Sequence, residues 1–557
     1  MRLERLRIGG VGSDPSARFK NLKNAQVEFD SSHWVTVGIG PNGSGKSNIL
    51  EALAIIFREL ITDRPPQVEF AFELTYRIGA SADERRVSIH HDPLISSQRF
   101  QIRVTTIGGV DGLGGGLAST DETVSLADFR NDDRNLPKHV FSYYSGESTR
   151  LQDVFRPYME KYDASLRSGK DPGFKRLFYA LPSHSQFVLL AFLIHDDPRV
   201  WTFLADHLQL DLRDGVESVM FVLRQPPWTA AENGGDSRFW NARGVVQQFL
   251  NRLQNEALAP IQRTELVPVS LWNKKRLEFR YLFLPGIDAL RRLVGTDSPA
   301  DFFRDLESTF VSQLIDEVRI RVRVKGSSDS VTFRELSEGE QQLLTVLGLL
   351  RFTAKEESLF LLDEPDTHLN PKWGVNYLRY LELFLSLGEG VDQSCQVVMT
   401  THNPISIASL EREQVLVVSR SISGETLVEH PAISPRGMGF AGVVTSEMFG
   451  LKSSLDQPTS EALARLHYLA SQTERTVEQT AELQRLREML DGLDFNFASR
   501  DRLEQEFRRA RFDLSDDIGT ALVSPESRKQ ALSALVGSLL ESSETLSDTH
   551  GDATHRP

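Results

Sequence analysis

A glycine-rich segment near the N-terminus has the residue types and spacing that bind a phosphate. It lies between an apolar stretch, Trp34 to Ile39, that predicts a buried strand and a helical pattern from Lys46 to Leu60. Glycines let backbone N–H groups point inward, and the helix N-terminus adds its positive end. We expect Lys46 to reach the outer phosphates and Ser47 to bind Mg²⁺. The predicted nucleotide-binding residues are Gly40, Pro41, Asn42, Gly43, Ser44, Gly45, Lys46, Ser47 and Asn48.

Two adjacent carboxylates end a second apolar stretch far downstream. Residues 358–362 predict a buried strand, and Asp363 and Glu364 follow it directly. We expect Asp363 to hold the shell of the Mg²⁺ ion. Glu364 would orient and polarise an attacking water. A buried strand with a polar end is the alternative for this segment alone, and the phosphate-binding pattern upstream argues against it.

Four further residues, in three segments, complete a candidate catalytic set. Ser337 and Gly339, in the run Leu-Ser-Glu-Gly, are predicted at a helix N-terminus that offers a hydroxyl and free N–H groups to a phosphate of the opposite subunit. Asp366 follows the carboxylate pair and is predicted to help bind the nucleotide. His402 follows another apolar stretch and would contact the γ-phosphate. The predicted catalytic residues are Glu364, His402 and Lys46.

In this order, the motifs resemble those of the SMC/RecF/OLD branch of ABC-type ATPases, over residues 1–150 and 315–420. The compact ATPases of bacterial anti-phage and restriction-associated systems, such as Septu-like ATPases, are most similar. The resemblance implies ATP hydrolysis with Mg²⁺, and a homodimer or higher homo-oligomer formed through the ATPase heads. It also implies regulation of a protein effector, such as an HNH or other nuclease.

Two departures from that family pattern matter. The γ-phosphate-sensing glutamine has no clear counterpart: Gln101 is one candidate, and the segment 144–147 is the alternative. After residue 420 the sequence has neither an Asp-x-Asp pair nor an H-N-H pattern, so we expect no intrinsic nuclease. A RecF-like repair ATPase acting directly on DNA is the second hypothesis, and a transporter subunit is the third.

The fold class predicted is α/β, with an ABC-type head, an antiparallel β lobe, a helical inserted lid and a helical C-terminal region. The β lobe is predicted from alternating apolar residues between Val68 and Tyr76 and from a second such strand at 100–104. The predicted boundaries are 1–150 and 315–420 for the two parts of the head, 151–314 for the lid, 421–541 for a docking region and 542–557 for a disordered tail.

Composition limits the setting in which the protein works. The chain has 557 residues, a net charge of -14, one cysteine and no apolar run of membrane-spanning length. These features predict a cytoplasmic protein that does not contact membranes. They disfavour nucleic-acid binding by bulk charge and leave DNA as a local ligand. The strand 318–324 carries Arg319, Arg321 and Arg323, which either form a solvated face or contact nucleic acid or a partner.

Overall fold

The computed structural model describes residues 1–493 except 10–17, 80–82, 95–99, 111–116, 195–196, 209–215, 229–233, 269–273, 324–329, 334–335, 354–356, 386–394, 452 and 473–474. The predicted tail, 542–557, and residues 494–541 of the predicted docking region therefore lie outside the described residues. Val324 and Lys325, at the end of the predicted basic strand, also lie outside them.

Strands and helices alternate along the chain. The strands are β1 (Arg2–Ile8), β2 (Ala25–Glu28), β3 (Val35–Ile39), β4 (Phe72–Ile78), β5 (Glu84–His91), β6 (Gln101–Val110), β7 (Leu117–Val124), β8 (His139–Tyr144), β9 (Leu177–Tyr179), β10 (Val216–Arg224), β11 (Leu258–Pro268), β12 (Lys274–Leu284), β13 (Ile315–Arg323), β14 (Ser330–Thr332), β15 (Ser358–Asp363), β16 (Cys395–Thr400), β17 (Val415–Arg420) and β18 (Thr426–Glu429). The helices are α1 (Lys46–Ile61), α2 (Leu126–Asn131), α3 (Arg150–Arg167), α4 (His184–Leu193), α5 (Pro198–His207), α6 (Gly244–Glu256), α7 (Gly286–Val294), α8 (Pro299–Val311), α9 (Glu338–Thr353), α10 (Pro371–Leu385), α11 (Pro404–Ile407), α12 (Gly439–Thr445), α13 (Gln457–Ala470) and α14 (Val477–Gly492).

The sheet that positions the candidate site has the order β18-β17-β3-β16-β15-β8-β9. Strands β3, β16, β15 and β8 pair in parallel, and every residue of β3, β15 and β16 is buried. Buried parallel strands read as continuous apolar runs, which is why the sequence predicted these strands well. Their register places Asp363 opposite both Thr400 and Tyr144, so the carboxyl ends of three strands meet at one edge.

Successive side chains of these strands enter two different cores. Phe360 and Leu362 of β15 pack in the larger cluster, whereas Leu359 and Leu361 pack in a second cluster with Phe57 of α1. This alternation follows from the period of two in a strand. Helices therefore cover both faces of the sheet, as a parallel sheet requires. The predicted α/β class is confirmed.

The predicted β lobe is present as an antiparallel sheet with the order β2-β1-β4-β5-β6-β7. Its strand β4 begins at Phe72, so Val68 and Phe70 precede the strand although both are buried. The N-terminal strand β1 pairs with β4 in the middle of this sheet. The sequence did not assign β1 to the lobe, because strand partners distant along the chain leave no local pattern.

The insertion differs from the helical lid predicted for residues 151–314. It contains helices α3 to α8, but also strands, and β10 to β12 join β13 and β14 in an antiparallel sheet of order β11-β12-β10-β13-β14. Ten residues of strand β11 are exposed and one is half-buried, so neither face of the strand is apolar. The sequence therefore has no alternating pattern that would predict this strand. The predicted boundary at residue 314 cuts through this sheet.

The predicted end of the head at residue 420 is also too early. Strand β18 pairs antiparallel with β17, which extends the central sheet to Glu429. Residues 1–450 form one compact unit. The second unit begins at Leu451, and its described part is a pair of helices, α13 and α14, with a small core of their own. No helix among the described residues has the length and apolar content to cross a membrane.

We predict that Phe360→Ala destabilises the central sheet. The Phe360 ring is buried and stacks on Phe141 of β8, with ring centroids 4.9 Å apart. Its removal should lower the free energy of unfolding by about 3–5 kcal/mol, measured by urea denaturation. Phe440→Ala is the matched control because Phe440 is 45% exposed, and it should change that free energy by less than about 0.5 kcal/mol. Equal losses would contradict the assigned core.

Candidate active site

The glycine-rich loop connects β3 to α1 and has a backbone that its glycines alone permit. Gly40, Gly43 and Gly45 have φ angles of 144°, 77° and 118°, in the left-handed region. A Cβ atom on Gly40 would lie 2.1 Å from the carbonyl oxygen of Val418. The tight turn therefore requires glycine, and it leaves the loop wrapped around the start of helix α1.

Lys46, the first residue of α1, reaches back across this loop. Its Nζ donates hydrogen bonds to the carbonyl oxygens of Gly40 at 2.7 Å and Pro41 at 3.3 Å. Burial lowers the pKa of Lys46, and the carboxylates of Glu364 and Asp363 partly offset that effect. The ammonium group is thus held at the mouth of the loop, close to both predicted carboxylates.

The other predicted loop residues are fixed by a neighbouring asparagine. Asn21 donates to the carbonyl oxygen of Gly43 at 2.8 Å and accepts from the amide of Asn48 at 2.5 Å. Pro41 and Asn42 are exposed. The Ser44 hydroxyl is buried and has no hydrogen-bond partner among the described residues. Asn21 was not identified from the sequence, because a single asparagine in a loop has no distinguishing pattern.

The carboxylate of Asp363 joins three elements. Its Oδ1 accepts hydrogen bonds from the Ser47 hydroxyl at 2.9 Å and from the Thr400 hydroxyl at 2.5 Å. Its Oδ2 accepts from the guanidinium of Arg150 at 3.0 Å. Asp363 itself is fully buried. The structure therefore brings together the two predicted metal ligands, Ser47 and Asp363, and adds Thr400 and Arg150, which sequence reasoning missed.

Glu364 has a strained backbone and a paired side chain. Its φ angle is 55°, which is unusual for a residue other than glycine, and its N–H donates to the carbonyl oxygen of Thr400 at 3.0 Å. Its carboxylate lies 2.5 Å from Nδ1 of His402. Burial raises the pKa of Glu364 above its ordinary value of 4.5, and His402 partly offsets the rise. The predicted catalytic residues Glu364 and His402 are therefore in direct contact.

Asp366 has a different environment from the one that the sequence predicted. Its carboxylate is 1% exposed and accepts hydrogen bonds from the hydroxyls of Thr401, at 2.9 Å, and Ser406. Burial raises the pKa of Asp366, and the two hydroxyls partly offset the rise. This carboxylate ties the segment after β15 to the segment after β16. Its role in nucleotide binding stays a prediction.

Ser337 and Gly339 lie at the N-terminus of α9, as predicted, but not at the glycine-rich loop of the same chain. Ser337 forms a capping box with Glu340: its hydroxyl accepts from the Glu340 N–H at 3.3 Å, and its own N–H donates to the Glu340 carboxylate at 2.7 Å. Ser337 is exposed. A Cβ atom on Gly339 would lie 2.5 Å from the carbonyl oxygen of His368, so glycine permits this close packing.

The segment after β8 occupies the edge of the site next to Asp363. The Ser145 N–H donates to the Asp363 carbonyl oxygen at 3.3 Å, and Arg150 begins helix α3 a few residues later. Gln101, by contrast, lies in β6 of the β lobe, opposite His90. The structure thus favours the alternative segment at 144–147 over Gln101. The signal available in the sequence was the run Tyr-Ser-Gly-Glu directly after an apolar strand.

Comparisons with known proteins point to one family. A family model described as "AAA domain, putative AbiEii toxin, Type IV TA system" matches residues 35–408. Septu protein PtuA of Bacillus mycoides (strain KBAB4) is 23% identical over 264 residues, which are 42% of this chain, and the match spans only 35% of that relative.

Solved structures give weaker similarities. The SMC head domain from Thermotoga maritima has a TM-score of 0.28 and 14% identity, covering 78% of this chain and 100% of that one. The Pyrococcus furiosus Smc head bound to the C-terminal domain of ScpA has a TM-score of 0.27 and 14% identity, covering 77% and 96%. Stu0660 of Streptococcus thermophilus has a TM-score of 0.26 and 12% identity, covering 89% and 95%.

We predict that Glu364→Gln stabilises the folded protein at about pH 8. Because burial raises the pKa of Glu364, its neutral form favours folding, and that stabilisation is lost as the pH rises through the raised pKa. Glutamine stays neutral, so the unfolding temperature should rise by roughly 2 °C at pH 8. The gain should vanish as the pH falls below the ordinary value of 4.5.

Differential scanning fluorimetry over a pH series measures this gain. Glu160→Gln is the control: Glu160 is exposed on α3, so its substitution should leave the pH dependence unchanged. A Glu364→Gln variant less stable than wild type at pH 8 would contradict the conclusion that burial destabilises the charged form of Glu364.

Proposed function

This chain belongs to the AAA-domain family whose model it matches, and we propose that it binds and hydrolyses ATP at the site around Asp363. The observation that carries the proposal is the convergence of three pairs at one sheet edge. Lys46 lies across the glycine-rich loop, Ser47 contacts Asp363, and Glu364 contacts His402. This set supplies a phosphate cradle, hard oxygen ligands and a carboxylate beside them.

The residues present fit a magnesium ion. The Ser47 hydroxyl and the Asp363 carboxylate are oxygen ligands 2.9 Å apart, and hydroxyl and carboxylate oxygens are what Mg²⁺ prefers. We propose that these two residues hold the ion. When bound, Mg²⁺ neutralises charge on the phosphate oxygens. Lys46 and the loop N–H groups bind and orient the same phosphates, so the chain itself supplies most of the positioning.

Glu364 is the group that activates water in this proposal. Its carboxylate would accept a hydrogen bond from a water at the γ-phosphate and orient that water for in-line attack. It would take the water's proton as the new bond to the γ-phosphorus forms and the bond to the bridging oxygen breaks, which releases ADP and phosphate. A carboxylate whose pKa is raised by burial is a stronger base than an exposed one. His402 fixes the carboxylate through its contact at 2.5 Å and lies where a γ-phosphate contact is expected.

We propose that two copies complete each site. Ser337 is exposed at the start of α9, and its hydroxyl donates to the carboxylate of Glu340, so the side chain lies at the surface where a second copy could reach it. A copy facing it would present the Ser337 hydroxyl and the free N–H groups of α9 to the γ-phosphate. ATP held between the two heads would join them, and hydrolysis would release them.

The cellular role follows from the relatives. The family description names a toxin of a type IV toxin–antitoxin system, and the curated relative is a Septu protein. We propose that the ATPase regulates a partner effector, such as an HNH or other nuclease, in anti-phage defence in the cytoplasm. A neighbouring gene product that co-purifies and changes the hydrolysis rate would support this role. Strong stimulation by duplex DNA alone would favour the RecF-like hypothesis instead.

Hydrolysis is tested by steady-state phosphate release. Glu364→Gln should lower kcat by at least about 100-fold, because the proton acceptor is lost while phosphate binding remains. Lys46→Ala should weaken ATP binding as well. Glu160→Gln is the matched control and should retain wild-type activity, because Glu160 is exposed on α3. Wild-type turnover in the Glu364→Gln variant would refute the assigned role.

Shared sites are tested by mixing two inactive variants. Lys46→Ala disables the loop side, and Ser337→Arg disables the opposite side, so each variant alone should be inactive. Random pairing makes half of the dimers mixed, each with one intact site of two, so the mixture should regain about a quarter of wild-type activity. No recovery in a mixture that still forms dimers would contradict completion of each site by the opposite copy.

A further inference from the structure

The sheet of β10 to β14 has one buried face and one open face. Phe221, Val318 and Leu282 pack in the larger core cluster. Most of their strand neighbours are half-buried or exposed, and Val222, at 2% exposure, is the exception. Their sequence neighbours point to the other face, because successive side chains of a strand alternate. The function proposed above does not use this second face.

Strand register identifies the residues that share this face. Met220 of β10 lies opposite Arg319 of β13 on one side and opposite Phe283 of β12 on the other. Tyr281, two residues before Phe283, is on the same face, and its hydroxyl donates to Glu265 of β11 at 2.8 Å. Directly opposed residues in an antiparallel pair point the same way. The open face therefore carries Arg263, Lys275, Tyr281, Phe283, Arg319 and Arg321, together with the carboxylates of Glu265 and Glu317.

Aromatic and apolar groups on the open face are accessible. Phe283 is 36% exposed, and Ile261 and Leu258 beside it on β11 are 50% and 60% exposed. Tyr281 is half-buried, and burial and the hydrogen bond to Glu265 raise its pKa, an effect that the nearby Arg319 and Arg263 partly offset. The rings of Phe283 and Tyr281 are thus accessible to solvent beside guanidinium groups. Exposed apolar groups do not stabilise the fold, so a cluster of them indicates a binding surface.

Three of the four cations on the open face have no salt-bridge partner among the described residues, although Glu265 and Glu317 lie on the same face. Arg319 pairs with Glu317 at 2.9 Å, but Arg263, Lys275 and Arg321 have no carboxylate within salt-bridge distance among the described parts of the chain. This excess of positive charge occurs in a chain whose net charge is -14. The chain as a whole repels polyanions, so a basic surface must be local to attract one.

We propose that the open face binds single-stranded nucleic acid. Phosphates would pair with Arg263, Arg319 and Arg321, and unpaired bases would stack on Phe283 and Tyr281. The bases of a duplex are stacked inside it and could not stack on Phe283 or Tyr281, so a duplex would bind only through its phosphates. A second copy of this chain fits less well, because a symmetric contact would bring the same cations face to face. The proposal does not depend on ATP hydrolysis.

Fluorescence anisotropy without nucleotide tests the proposal, with labelled oligo(dT) and oligo(U) of about 20 nucleotides and a duplex of equal length. Wild type should bind a single strand more tightly than the duplex, with an affinity that falls as salt rises. Arg263→Glu with Arg321→Glu should weaken binding at least about tenfold and flatten the salt dependence. Phe283→Ala should weaken binding about tenfold and leave the salt dependence unchanged.

Lys138→Glu with Lys161→Glu is the matched control, since both side chains are exposed outside this sheet and the change in net charge is the same. It should retain wild-type binding, and all variants should keep the wild-type ATP hydrolysis rate. Preference for oligo(dT) or for oligo(U) would each support the proposal and identify the sugar. Equal or tighter duplex binding, equal loss in the control, or no binding of any nucleic acid would overturn it; the last result would favour an acidic protein ligand.

Discussion

The buried carboxylate of Asp363 is the interaction on which the rest of the candidate site depends. A fully buried carboxylate without partners costs several kcal/mol, so it is stable here only because Ser47, Thr400 and Arg150 donate to it. Those donors come from α1, β16 and α3. They reach one point because β8, β15 and β16 run parallel and end in register. The parallel order and register of these strands are therefore what satisfies the Asp363 charge and fixes the geometry of the site around it.

Glu364, the next residue, shows the opposite balance. Its left-handed backbone costs about 1–3 kcal/mol, and burial makes its charged form less stable. The carboxylate is held there by its contact with His402 and by the N–H bond to the Thr400 carbonyl oxygen. The carboxylate of Asp363, stabilised by three donors, therefore lies next to the carboxylate of Glu364, whose charged form is destabilised by burial. We propose that Asp363 holds the magnesium ion and that Glu364 accepts the proton of the attacking water.

Local patterns in the sequence predicted the elements that carry this site. The loop at 40–48, strand β15 and the helix start at Ser337 each have a signal within a few residues, and each lies where it was expected. Asn21, Arg150 and Thr400 were missed because their roles arise from contacts between segments distant along the chain, which no local pattern reveals. Strand β11 was missed for a different reason: both of its faces are exposed, so no apolar alternation marks it.

Equilibrium binding of ATP with and without Mg²⁺, compared between wild type and Asp363→Ala, tests the central claim most directly. If Ser47 and Asp363 hold the ion, Mg²⁺ should tighten ATP binding to wild type, and Asp363→Ala should lose that gain while keeping the Mg²⁺-independent affinity that Lys46 and the loop provide. An Asp363→Ala variant that remains folded and shows the full Mg²⁺ effect would contradict the account.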